Sequence, residues 1–350
     1  MAISTELINT TLEDLRGPME KGFMQSIPLW AALEKKGKVS KDGGTYIARS
    51  WMKGASAKGT GMFNGDEALD LTRYQKSEKY EVEPHRVVIP VAIPKKELLQ
   101  NTGKSAAVRL IEEYPKAALE GAALDLNSYM LSGVSTGIVF PSAELSGFVS
   151  LNGQFTGGVG RGVTNGLLDF QTPATQTDTV QNVAKAVADW HYNHYGDISA
   201  FLTDGMQILR QVYRKAAHFC SPGKGPDLIV MDDATFGNFQ LAKQDIVRIQ
   251  VVGDNTDKGN MVEDVLGMGG VYSDPTLDIA NDFTGVAADG VTYMLTCDFI
   301  ELVLFEKFSF GKFAEPIGAQ DAILAKAAMQ GNLICRKFPA QGCVSGGSVQ

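Results

Sequence analysis

The sequence has little of what usually announces a chemistry. Its four cysteines, Cys220, Cys297, Cys335 and Cys343, are widely spaced and form no C-x-x-C pair. That argues against a disulfide framework and a cysteine-built zinc site, and the expectation is reduced thiols in a protein made in a cytoplasm. No apolar run reaches the length of a membrane span. The segment from Met1 to Asn9 has neither a basic head nor an apolar stretch of the secretory kind, so no signal peptide is expected. Positive charge is short too: 32 Lys and Arg against 40 Asp and Glu leave a formal net charge of -8. Phosphate contacts need Lys and Arg, so any contact with DNA is expected to be local and non-specific.

Catalytic patterns are present only as fragments. Gly103-Lys104-Ser105 matches the end of a phosphate-binding loop, but the glycine required five positions earlier is Leu98, and the preceding Lys95–Asn101 is polar and helix-like where a buried strand is needed. Gly158-Val-Gly160-Arg-Gly162 misses the dinucleotide fingerprint, because Val163 stands where the third glycine belongs. His191 and His194 could share a helix face as two metal ligands, yet zinc needs a third. His85 and His218 carry no motif and no cysteine is near, so surface or satisfied histidines beside Trp190 and Tyr192 are the better reading. There is no G-x-S-x-G elbow, and Asp232-Asp233 is explained by a helix start, where acidic side chains favour the dipole. No catalytic residue, cofactor or metal is expected. Active sites also assemble across distant positions, so an enzyme of unknown class remains a rival.

What is there is architecture. The 350 residues, 44% hydrophobic and 21% charged, are enough for one large domain or two moderate ones. Leu7, Leu12 and Leu15 mark one amphipathic piece. Pro18 opens a second, with Phe23, Ile27, Trp30 and Leu33 near helical spacing. Each is too short to hold alone in water, so it packs either on its own domain or, as an arm, on a neighbour. Gly43-Gly44 opens a long hairpin: Tyr46–Trp51 is strand-like, Lys53–Gly65 is a glycine-rich tip, and Tyr80–Ile89 returns with period-2 alternation. So long a loop with so little to bury implies a use for it. Residues 105–132 read as a helix of roughly 40 Å, kinked or restarted at Pro115. Its apolar points are Val108, Ile111, Leu119, Ala122, Leu126 and Met130, and Gly133 stands at the C-terminal cap position.

From Gly133 to Asp169 come nine glycines and only three charges, read as short strands and loops. A mixed pattern follows from about Thr172. Thr203-Asp204 is expected to cap a helix through Leu209 and Val212 that ends before Pro222. Asp227–Met231 is a short apolar strand, and Asp232 starts another helix. Gly270–Ser273, Tyr293–Cys297, Phe299–Phe305 and Gly331–Cys335 read as the last strands. Charge divides along the hairpin. Residues 34–60 carry seven basic and two acidic side chains, and residues 61–83 carry three basic and six acidic. Between copies of one chain this is self-complementary.

Taken in order, these elements resemble the Hong Kong 97-type major capsid protein of tailed bacteriophages. The resemblance is carried by Leu29 and Leu33 before Gly43-Gly44, Phe63-Asn-Gly65 at the loop tip, and Glu97-Leu98 and Asn101 before the long helix. It continues through Asp189-Trp190 before the helix at 204–219, Pro226–Val230, Gly270–Asp274, Tyr293–Leu295, and Gly331–Cys335 followed by Gly342. It covers nearly the whole chain. It implies an α+β fold with an N-terminal arm (1–42), an extended loop (43–86), a peripheral domain (87–172 and 288–346) holding the spine helix 105–132, and an axial domain (173–287).

The function it implies is self-assembly into pentamers and hexamers of an icosahedral shell around double-stranded DNA. The location is then the virion, after synthesis in the host cytoplasm, with no membrane contact. The arm begins almost at once, so any scaffolding protein is expected to be separate, alongside a portal. Lys53, Lys58, Met62, Phe63, Asp66 and Glu67 are the candidate inter-subunit contacts. Some members join subunits through Lys–Asn cross-links, but nothing marks Lys53 or Lys58 as reactive and none is expected from them. The second rival is the shell of a related nanocompartment enclosing cargo.

Overall fold

The structure is a computed structural model. It describes residues 22, 27–52, 77–100, 104–132, 151–155, 167–176, 179–187, 189–246, 261–262, 270–274, 277, 290–312, 314 and 322–347.

Helix α1, Pro28–Lys35, opens with proline at its first position, where the missing N–H costs nothing and the ring pre-sets φ. Leu29, Trp30 and Leu33 are buried, as is Ile27 just before them. Gly37, at φ +65, turns the chain into β1, Val39–Lys41, which pairs in parallel with a later strand of the body. Residues 27–42 are therefore part of the subunit's own fold and not a detached arm. Of the piece that Pro18 was expected to open, the described residues give the helix Pro28–Lys35 and a helical Gly22; the rest of 18–26 lies outside the described residues. The earlier amphipathic piece lies outside the described residues.

The hairpin forms, but its return limb is two strands. β2, Ile47–Met52, pairs with β3, Ser77–Val82. The chain breaks at Glu83-Pro84 before β4, His85–Pro94. Proline has no N–H to donate to a ladder, which confines it to strand edges and breaks. The side-chain amide of Asn332 donates to the Glu83 carbonyl at 2.8 Å, so one carbonyl freed by the break is satisfied.

A short α2, Lys95–Gln100, then leads to α3, Lys104–Ser132. This spine runs as one helix through Pro115, with no restart. Leu119, Ala123, Leu126 and Met130 line its buried stripe. Gly133, expected to cap it, lies outside the described residues.

Within the glycine-rich stretch, β5, Asn152–Phe155, and β6, Leu168–Phe170, pair in parallel. β7, Thr179–Val180, and β8, Val183–Ala184, form a tight hairpin. Gln181 and Asn182 both take positive φ at its turn, the mirror-image turn that matches strand twist.

β9, His194–Asp197, follows, then α4, Met206–His218. Thr203 and Asp204 do not cap α4. They sit in a wide turn, Phe201–Gly205, and the Asp204 carboxylate accepts backward from the Ser199 and Ala200 N–H groups at 3.3 and 3.4 Å. β10, Leu228–Met231, is buried throughout, and Asp232 does cap α5, Asp233–Ile246, accepting from Thr235 N–H at 3.2 Å. The remaining strands are β11, Met261–Val262; β12, Gly270–Ser273; β13, Thr292–Leu295; β14, Ile300–Phe310; β15, Ala322–Cys335; and β16, Gly342–Ser345.

Two sheets organise the body. One has the order β1-β14-β15-β4, the other β11-β12-β10-β13-β16-β9. β15 extends nine residues before the Gly331 at which its alternation becomes visible. Its early part is alanine-rich, and pairing with β4 from Ala322↔Pro94 to Gly331↔His85 overrides alanine's weak strand preference. Gly331 is demanded by close approach: a Cβ there would lie 2.4 Å from the Val303 carbonyl oxygen. Strands β13 and β16, expected with the spine helix in the 288–346 segment, sit inside the six-stranded sheet, β13 beside β10 and β16 between β13 and β9.

One face of that sheet packs on α4 and α5 through Leu209, Val212, Phe236 and Phe239 against Ile229, Met231 and Met294. Its other face, with Val230, Tyr293 and Leu295, joins the large core containing the spine helix. Two buried hydrogen bonds tie that helix to the sheet region: Tyr293 hydroxyl to Leu131 carbonyl at 2.8 Å, and Asn127 amide to Asp274 carboxylate at 2.9 Å.

Candidate assembly site at the stem of the hairpin

The six candidate contact residues, Lys53, Lys58, Met62, Phe63, Asp66 and Glu67, all fall between Met52 and Ser77 and lie outside the described residues. What is described is the stem that holds them. In the stem register Ile47 opposes Val82, Arg49 opposes Tyr80 and Trp51 opposes Glu78, so these six side chains share one face. Ile47, Trp51, Tyr80 and Val82 are buried.

Trp51 stacks on Tyr80 with ring centroids 5.1 Å apart and planes 6° from parallel. His191 closes the box at 5.5 Å from Trp51 and 5.3 Å from Tyr80, and Phe338 stands edge-on to His191 at 4.6 Å. Aromatic pairs of this kind contribute about 0.5–1.5 kcal/mol beyond their area burial. Burial drives the Tyr80 hydroxyl's pKa upward.

Beside the box sits an ionic clamp. The Arg49 guanidinium donates to both carboxylate oxygens of Glu301, at 3.0 and 3.2 Å, and to Asp42 at 2.9 Å. Glu301 also accepts from the Ser40 hydroxyl at 2.5 Å and from Arg336. Burial alone would raise the Glu301 pKa. The hydrogen bonds from Arg49, Ser40 and Arg336, with the charge of Arg336, outweigh it and hold the group at about 2. The clamp joins the stem (Arg49), β1 (Ser40), β14 (Glu301) and the turn after β15 (Arg336).

Part of the hairpin's charge asymmetry is therefore used inside the subunit. Arg49 is paired, Lys36 meets Asp227 at 2.6 Å, and Lys79 meets Glu81 within the return strand at 2.6 Å.

The histidines do not lie on a helix. His191 bridges to Ala186 and His194 begins β9, and both are buried, not at the surface. His191 Nδ1 lies 2.9 Å from the Ala184 carbonyl oxygen, so that nitrogen is satisfied. Burial lowers both imidazoles to about 4. Among the described residues no three His, Cys, Asp or Glu side chains converge as metal ligands. Lys104 opens α3 behind a helix rather than behind the strand a phosphate loop requires. All four cysteines are free, and Cys297, Cys335 and Cys343 are buried.

Sequence reasoning missed Glu301 and its partners. One signal was present: a lone carboxylate inside Phe299-Ile-Glu-Leu-Val-Leu-Phe305 implies a buried cation, because an unpaired charge is too costly there. Which cation it meets was not readable.

Comparison with known structures places this geometry. The capsid asymmetric unit of cyanophage A-1(L) matches with a TM-score of 0.53 at 14% identity, over 88% of this chain and 89% of that one. The chain has a Hong Kong 97-type capsid fold. It is mixed α+β, and the match runs through nearly all of both chains. More distant similarities include the capsid of Myoviridae phage XM1, with a TM-score of 0.49 at 11% identity over 89% of this chain and 90% of that one. A virus-like particle from Pyrococcus furiosus matches with a TM-score of 0.45 at 10% identity, over 95% of this chain and 98% of that one. No protein-family model and no curated protein sequence matches the chain.

Proposed function

We propose that this chain is the building subunit of a closed icosahedral shell, the major capsid protein of a tailed phage, and that its role is structural rather than catalytic. The observation that carries the reading is the extent of the capsid-fold match. It spans nearly all of both chains, so what is shared is a whole subunit and not a common core motif. The stem supports it: an aromatic box and a four-element ionic clamp fix the base of the loop that carries the candidate contact residues.

In this reading the extended loop spans 43–86, and Lys53, Lys58, Met62, Phe63, Asp66 and Glu67 meet neighbouring copies. Closed shells arise when such heterologous contacts repeat under symmetry, here as pentamers and hexamers. Residues 87–172 and 288–346 form the peripheral domain, apart from β13 and β16, which pair within the axial sheet of 173–287. The arm is the part of 1–42 that precedes Ile27. Scaffolding protein and portal are separate chains, and DNA is held by enclosure, in keeping with a net charge of -8.

The test is to purify particles from a producing host, treat them with nuclease, and extract what survives. Protected double-stranded DNA supports the phage reading. Particles that protect a protein cargo and no nucleic acid would move the chain to a nanocompartment shell.

A further inference from the structure

The core next to the hairpin stem holds three reactive groups in an arrangement that the assembly role does not need. Lys185 and Asp169 form an ion pair at 2.8 Å, with side chains 0% and 1% exposed. Burying such a pair costs several kcal/mol of desolvation per ion. Asn193, fully buried, places its amide against both: Lys185 Nζ lies 3.5 Å from Asn193 Oδ1, and the Phe338 ring centroid lies 5.8 Å from Nζ. Nζ also donates to the Leu167 carbonyl at 3.1 Å. The amide is fixed at both ends. Oδ1 accepts from the Asp169 backbone N–H at 2.9 Å, and Nδ2 donates to the Asp169 carbonyl at 2.9 Å and to Cys343 Sγ at 3.3 Å. The Asn193 backbone is locked by Gln176, which accepts from its N–H and donates to its carbonyl, both at 3.0 Å.

We propose that Lys185 and Asn193 are the partners of an intramolecular isopeptide bond, formed after folding with Asp169 as the proton-transfer residue. In a dry core, moving the proton from the Lys185 ammonium to the Asp169 carboxylate neutralises both groups and frees the amine lone pair. A short rotation of the lysine tail carries Nζ from Oδ1 on to Cγ, where it attacks. Negative charge then develops on Oδ1, at which the Asp169 backbone N–H already points, an oxyanion-type contact set before reaction. The attacking nitrogen passes a proton through Asp169 to Nδ2. The Cγ–Nδ2 bond breaks as the carbonyl re-forms, and ammonia leaves. One Nζ–Cγ bond forms, one Cγ–Nδ2 bond breaks, no electron is transferred and no co-reactant is consumed. The ammonia carries away the proton first given up by the lysine, and the second proton lost from Nζ stays on Asp169, which is left neutral beside the new amide. The bond joins no two subunits. It closes the loop 185–193, which holds Trp190 at φ +58 and seats His191 beneath the stem.

The experiment is intact-mass and peptide mapping of the full-length protein, folded and then denatured. The expected result is a mass lower by one ammonia, no tryptic cut after Lys185, and a single peptide carrying both residues. Asp169→Asn is expected to restore the full mass and the cut, as is Asn193→Ala. Full mass with cleavage after Lys185 in the folded wild type would overturn the proposal, whether or not the variants fold. Loss of ammonia that persists in Lys185→Arg would also overturn it, since that signature belongs to a succinimide at Asn193. Loss that persists in Asp169→Asn would remove Asp169 from the step.

Discussion

Replacing Glu301 by glutamine tests how the stem is held. The change keeps the shape and removes the charge facing Arg49 and Arg336. A carboxyl held at about 2 in the fold, against an ordinary 4.5, corresponds to at most about 3 kcal/mol of folding free energy at neutral pH. Arg336 is nearly half exposed, so solvent screening brings the expectation to about 1–3 kcal/mol. The sign follows from the direction of the shift. The folded carboxyl is the stronger acid, so its contribution is complete above the unfolded value near 4.5 and is lost as pH falls from there through about 2. His191 and His194, held at about 4, also titrate in this range but do so in both proteins and cancel in the difference. The assay is urea unfolding of the unassembled subunit from pH 7 down to pH 2. Glu301→Gln is expected to be less stable at pH 7 by that amount, with the gap closing between pH 4.5 and pH 2. A gap under about 0.5 kcal/mol at pH 7, within the scatter of ordinary surface substitutions, would refute the clamp, as would a gap that persists unchanged at pH 2.

Gly331→Ala forces a methyl against the Val303 carbonyl and is expected to cost at least about 1–3 kcal/mol in thermal unfolding; an unchanged melting point would mean that the β14–β15 register is wrong. Reducing agent should leave the melting temperature of assembled particles unchanged, because all four thiols are free; a drop of several degrees would reveal a disulfide between copies. The double reversal Lys53→Glu with Lys58→Glu should slow assembly in light scattering at low salt and recover partly at high salt, since exposed pairs are weak and screened. Normal assembly of that variant at low salt would make the hairpin's charge division an ordinary solvated surface.

Much of the fold was legible because its signals are local. β10 reads from an unbroken Leu-Ile-Val-Met, α5 from Asp232 before it, the spine helix from apolar residues three and four apart, and the hairpin stem from alternation around Trp51 and Tyr80. The break at Pro84 was also written in the chain, because proline cannot donate to a ladder, and the alternation on either side of it masked that. What was not legible depends on distant partners. Nothing in Arg49 announces Glu301, 252 positions away, and nothing in Tyr80 announces Phe338. The early half of β15 is hidden because alanines earn their place by fitting between β4 and β14, not by preferring a strand. Thr203-Asp204 misled for the opposite reason: a strong local capping pattern was spent on the preceding turn. The six candidate contact residues were chosen from composition and charge along the loop, and a contact between copies leaves no trace in a single chain.

Sedimentation velocity of the purified full-length protein under assembly conditions tests most directly whether this chain closes into a shell with copies of itself. Shell closure is expected to give one fast, narrow boundary far heavier than any small oligomer. That boundary should disappear, leaving folded subunits, when residues 53–65 are replaced by a short Gly-Ser linker. A wild type that remains a monomer or small oligomer under every assembly condition would contradict it, and so would a linker variant that still closes into full-sized particles.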